Sequence, residues 1–107
     1  MWFIFPQLQG LGHSATSQYY AIRDLEEARA FLQDPYLGGN LREICQALLK
    51  LDSSDALEIF DRPDDFKLRS SMTLFACADP QCELFEQVLA KYFGGRKDGR
   101  TLRMLGR

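Results

Sequence analysis

Asp34-Pro35-Tyr36-Leu37-Gly38-Gly39-Asn40-Leu41-Arg42-Glu43-Ile44-Cys45-Gln46-Ala47-Leu48-Leu49-Lys50 places apolar residues at Leu37, Leu41, Ile44, Cys45, Leu48 and Leu49. Steps of three and four keep one face of a helix apolar for about four turns, whereas a strand alternates every second residue. Asp34 reads as the cap and Pro35 as the first helical residue, because the N–H that proline lacks is unpaired in a first turn anyway. The pair Gly38-Gly39 weakens that turn, by on the order of 1 kcal/mol per glycine relative to alanine.

The punctuation on both sides is helical too. Upstream, Asp24-x-x-Glu27 has capping-box spacing in front of Leu25, Ala28, Phe31 and Leu32, and Asp34-Pro35 ends that helix. Downstream, Ser53-Ser54-Asp55 caps a short helix bearing Ala56, Leu57, Ile59 and Phe60, and Asp61-Arg62-Pro63 restarts the chain. From Pro63 to Ala78 the acids Asp64 and Asp65 occupy the first turn, where the helix dipole favours them. After Ser71 this helix is almost wholly apolar, which predicts burial on all sides. Asp79-Pro80 repeats the cap-plus-proline start, Leu84, Phe85, Val88, Leu89, Tyr92 and Phe93 line one face, and Gly94-Gly95 closes it. Thr101 to Leu105 adds a last short turn.

No stretch alternates with period two between hairpin turns, so no sheet is expected. The expected fold is all-α: one multihelical globular domain over residues 1–107, of five or six helices. The 63–78 helix sits at its centre, with the helices from Pro35 and Pro80 packed on it.

Composition agrees. With 107 residues, 46% of them hydrophobic and eight of them Phe, the chain can bury a core, so disorder is excluded. No apolar run is long enough to span a bilayer. The head Met1-Trp2-Phe3-Ile4-Phe5 is too short for a signal peptide, lacks a basic start and stops at Pro6. Cys45, Cys77 and Cys82 are odd in number, match no zinc spacing, and lie far from the only histidine, His13. Free thiols in the cytoplasm are expected, with no metal and no cofactor.

Charge is uneven. Arg96, Lys97, Arg100, Arg103 and Arg107 against Asp98 give the last twelve residues +4, which leaves −6 for the rest of a chain of formal net charge −2. Scattered charges of this kind read as a solvated end, so nucleic-acid binding is not expected.

Three clusters bear on chemistry. Gly10-Leu11-Gly12-His13-Ser14 follows the aromatic head. A glycine loop entering a helix cap can offer N–H groups to an anion, but this one matches neither the dinucleotide fingerprint nor the P-loop. A simple turn accounts for it. Tyr19-Tyr20 can line a pocket or edge the core.

The densest cluster is Asp64, Asp65, Lys67, Ser70 and Ser71, where Lys67, Ser70 and Ser71 stand at i, i+3 and i+4 on one helix. A carboxylate, an ammonium and hydroxyls on a partly dry face can hold a phosphate or polarise a substrate. The structural alternative has the acids capping the helix, Asp64 pairing with Lys67 or Arg69, and the hydroxyls bonding back to i−4 carbonyls.

Trp2-Phe3-Ile4-Phe5-Pro6-Gln7-Leu8, Gly10-Leu11-Gly12, Phe66-Lys67-Leu68-Arg69-Ser70-Ser71-Met72-Thr73-Leu74-Phe75 and Lys91-Tyr92-Phe93-Gly94-Gly95 closely resemble, in order and spacing, an uncharacterised bacterial family. Its members are small and multihelical and sometimes carry the automatic label "calpastatin". The resemblance covers essentially the whole chain and implies an all-α fold; it implies no activity. Calpain inhibitors of that name are similar to disordered repeats, which a chain with caps, amphipathic helices and abundant Phe is not. Family members carry a further helical stretch before the equivalent of Trp2, so this chain reads as a shortened form. They often have Arg at the place of His13 and His at that of Asp34, and no role is carried over to those two positions.

Two functional readings follow. In the first, Trp2, Phe5, Gln7 and Tyr20 wall a pocket for an anionic small molecule, phosphate- or nucleotide-derived. Ser70 and Ser71 help to bind it, Asp64 or Asp65 is the acid–base, and Lys67 positions the anionic group; binding and hydrolysis both remain open. In the second, the domain is a non-catalytic helical interaction module whose aromatic head is a surface for a partner protein or for a second copy in a homodimer.

Overall fold

The computed structural model describes residue 6, residues 21–52 and residues 64–106, with the backbone alone for Asp64 and Asp65. Five helices occupy those residues: α1 Leu25–Gln33, α2 Leu37–Lys50, α3 Asp64–Ala78, α4 Leu84–Phe93 and α5 Gly99–Met104. No β-strand forms among the described residues, and the all-α expectation holds. The expected short helix over 53–60 lies outside the described residues.

α1, α3, α4 and α2 pack as a closed ring in which each touches the next and α2 returns to α1; α5 leans on α3. This refines the expected arrangement. α3 is central, but its main partners are α1, α4 and α5, while α2 packs chiefly on α1 and α4. α2 still reaches α3 where the Cys45 thiol points at Met72 Sδ, 3.7 Å away. The radius of gyration, 12.6 Å, matches the ~13 Å of a compact chain of this length.

The ring closes over Leu41, Leu68, Met72, Leu74, Phe75, Phe85, Val88 and Leu89, all essentially without solvent contact. Phe75 sits between Phe31 and Phe85, with ring centroids 5.3 Å and 5.7 Å away, so three tilted phenyl rings tie α1, α3 and α4 together. Every residue from Ser71 to Ala78 is buried, as the run of apolar residues there predicts.

Helix starts divide into two kinds. Asp24 caps α1 by accepting the Glu27 N–H at 2.9 Å, while Glu27 Oε2 reaches back to Arg23, accepting its backbone N–H at 3.4 Å and its guanidinium at 2.8 Å. Asp34 accepts the N–H groups of Tyr36 and Leu37, both at 2.9 Å, so α2 begins at Leu37, two residues later than Pro35. Asp79-Pro80 does not start α4. The Asp79 carbonyl accepts the Cys82 N–H at 3.1 Å in a tight turn, and α4 begins at Leu84 without a side-chain cap. Proline allows a turn as readily as a helix start, and the turn wins here.

Gly38 has a use that its helix propensity hides. A Cβ at this position would lie 2.2 Å from the Leu32 carbonyl oxygen, so only glycine lets the start of α2 cross the end of α1. Beside Gly39 there is open space.

Candidate functional site

α3 carries the densest polar segment, and the structure divides that segment in two. The first part faces the loop between α4 and α5. The Arg69 guanidinium donates to the carbonyls of Arg96 and Lys97, at 3.1 and 3.0 Å. Ser70 Oγ donates to Asp98 Oδ2 at 3.3 Å. Thr73 Oγ1 donates to the Arg69 carbonyl at 2.8 Å and accepts the Asp98 N–H at 2.9 Å. Asp98 Oδ2 also accepts the N–H and hydroxyl of Thr101, at 3.0 and 2.6 Å, which caps α5. Arg69, Ser70 and Thr73 are therefore committed to holding the 96–101 segment against α3. Among the described residues, Thr73 is the hydroxyl that bonds back to an i−4 carbonyl, and Arg69 holds two backbone carbonyls.

The second part is Lys67 and Ser71, one helical turn apart. Lys67 is half-buried. Ser71 is fully buried, and its Oγ has no hydrogen-bond partner among the described residues. A buried hydroxyl without a partner costs about 1–3 kcal/mol, and native domains hold few of them.

The sequence expected Lys67, Ser70 and Ser71 to act together. Ser70 is committed to Asp98, and Lys67 and Ser71 stand one turn apart on α3. Asp64 and Asp65 lie in the first turn of α3, their side chains outside the described residues. Trp2, Phe5, Gln7, Tyr20, His13 and the glycine loop also lie outside them.

A second polar site lies where α4 meets the end of α2. Lys91 Nζ donates to the carbonyls of Leu48 and Leu49, at 2.9 and 3.0 Å, and to that of Leu51. The Tyr92 hydroxyl donates to the Leu48 carbonyl at 2.6 Å, and burial pushes its pKa up. Arg29 of α1 likewise donates to the Ala78 carbonyl at the end of α3, at 3.1 Å. Cations suit these ends, where unpaired carbonyls carry the negative pole of the helix. Lys91-Tyr92, part of the segment that carries the family resemblance, thus serves architecture.

Reading the sequence alone missed these roles. Asp98-x-x-Thr101 has the spacing of a helix cap and was legible, although Asp98 counts there only as a charge. Lys91 reaches its carbonyls across some forty residues of chain, and no local pattern signals that.

All three cysteines are free. Cys45 is fully buried, and desolvation pushes its thiol up to about 12, with Cys82 adding a smaller like-charge contribution. It is no nucleophile at neutral pH. No group of three or more His, Cys, Asp or Glu able to hold a metal occurs among the described residues. No helix among them is long and apolar enough to cross a membrane.

A family model described as a protein of unknown function, DUF1810, matches residues 1–105. The crystal structure of a conserved hypothetical protein from Mycobacterium tuberculosis is similar over 99% of this chain and 76% of that one, with 47% identity and a TM-score of 0.95. Comparison with curated proteins finds no match.

Proposed function

Since the chain belongs to this family of unknown function, its role must be argued from its own residues, and we propose that it binds a small anionic molecule, phosphate- or nucleotide-derived, against α3. Ser71 offers a hydroxyl to the ligand and Lys67 offers positive charge. Trp2, Phe5, Gln7 and Tyr20 wall the site, Ser70 steadies it through Asp98, and Asp64 or Asp65 serves as acid–base if the ligand is hydrolysed.

One observation carries this reading: the Ser71 hydroxyl is wholly buried and unpaired among the described residues, one turn from a half-buried lysine. The neighbouring polar side chains Arg69, Ser70 and Thr73 all have protein partners, so Ser71 stands out among them. Three free thiols support placing the domain in a reducing compartment such as the cytoplasm.

The experiment is thermal unfolding against a panel of nucleotides and phosphorylated metabolites. A ligand at a hundred times its Kd adds about 2.7 kcal/mol of stability, a shift of several degrees for a domain of this size. Ser71→Ala and Lys67→Ala are expected to fold and to lose that shift. A Ser71→Ala protein that gains stability, combined with a wild type that no panel member shifts, would make Ser71 a plain core residue. Product release from the bound compound separates hydrolysis from binding.

A further inference from the structure

We infer that the outward face of α5 is a docking surface for an acidic helical segment of a partner protein. α5 has two faces. Thr101 is buried and Leu102 and Leu105 are half-buried, whereas Arg100, Arg103 and Met104 are exposed. At i, i+3 and i+4 those three stand together on one side of the helix. Arg96, two residues before the cap, is exposed as well.

None of the three arginines forms an ion pair among the described residues, where the pairs are Arg23 with Glu27 and Lys97 with Glu86. The acid that sequence alone sets against them does not neutralise them. Asp98 is turned inward, its Oδ2 filled by Ser70 and Thr101. The platform is also held in place, because Arg69 grips the carbonyls of Arg96 and Lys97 and Thr73 takes the Asp98 N–H. Guanidiniums presented from an ordered backbone lose less freedom on binding than those of a loose tail.

The chemistry of this face favours protein over nucleic acid. The chain's net charge of −2 opposes any polyanion, so a short acidic segment that touches only this face is repelled less than a long phosphate polymer. Met104, 49% exposed, adds an apolar contact between the charges, and Arg and Met are enriched in protein interfaces. Carboxylates at i and i+3 or i+4 of a partner helix match the Arg100–Arg103 spacing, and guanidinium–carboxylate pairs can be bidentate.

Fluorescence anisotropy tests this with two labelled probes: a helical peptide bearing glutamates at i and i+4, and a single-stranded oligodeoxynucleotide. The wild-type chain is expected to bind the peptide more tightly than the DNA and to lose affinity as salt rises. Arg100→Glu/Arg103→Glu should weaken peptide binding about tenfold, each reversal of a rim charge costing a factor of about three. Met104→Ala should weaken it about twofold to threefold. Circular dichroism checks folding, and Arg100→Gln/Arg103→Gln replaces the double reversal if that unfolds. Equal peptide binding by wild type and variants, tighter binding of the DNA, or no binding of the peptide overturns the inference.

Discussion

At the end of α4 the chain caps itself, whereas at the end of α2 it depends on another helix. Gly94 and Gly95 have φ of 62° and 80°, the left-handed region, and the Gly95 N–H returns to the Leu89 carbonyl at 3.0 Å. Everything this end needs lies within seven residues. The carbonyls ending α2 instead meet Lys91 and Tyr92 of α4. The first arrangement can form as soon as the helix does; the second forms only when the ring of helices closes. Local caps define elements, and borrowed ones select how the elements assemble.

The sharpest way to break this contrast is at the α1–α2 crossing. Gly38→Ala drives a methyl group into the Leu32 carbonyl and is expected to cost about 3 kcal/mol or more, read as a lowered denaturation midpoint. Next comes Lys91→Met, which keeps the stem and removes the donor from the end of α2. A loss of about 2 kcal/mol is expected, and an unchanged midpoint would show that solvent serves those carbonyls equally well. Gly94→Ala tests the local cap and should cost about 1 kcal/mol, the penalty of a left-handed alanine. Gly39→Ala has open space around it and should stabilise by up to about 1 kcal/mol, opposite in sign to its neighbour.

The last prediction concerns pH and has no effect near neutrality. Cys45 has a folded pKa of about 12 against an ordinary value near 9, so above 9 the native state binds more protons than the unfolded chain. Its contribution is complete below pH 9 and is lost as pH rises towards 12. Tyr92, also raised by burial, acts in the same direction. Urea midpoints should fall across that window, less steeply for Cys45→Ala. Iodoacetamide at pH 7.5–8, a condition chosen only to ionise exposed thiols in part, should label half-buried Cys82 before Cys45.

What was legible depended on how local the cause was. The α2 periodicity, the Asp24 cap, the glycine end of α4 and the all-round burial of α3 after Ser71 are properties of short windows, and all four are present. Asp79-Pro80 misled because the same dipeptide serves a turn and a helix start, and distant packing chooses between them. Gly38 looked like a cost because its benefit belongs to another helix. In the candidate site, Lys67, Ser70 and Ser71 share a helix, so their spacing placed them together. Asp98, twenty-eight residues beyond Ser70, takes the hydrogen bond of that serine.

The sequence by itself determined the helices and the apolar faces they had to bury, because propensity, capping and periodicity act over a few residues. Tertiary structure alone decided which side chain met which: Lys91 at the end of α2, Asp98 turned in from the arginines, Ser71 enclosed without a partner among the described residues. Burial turns those meetings into energy, since a polar group removed from water must find its partner wherever the fold places one.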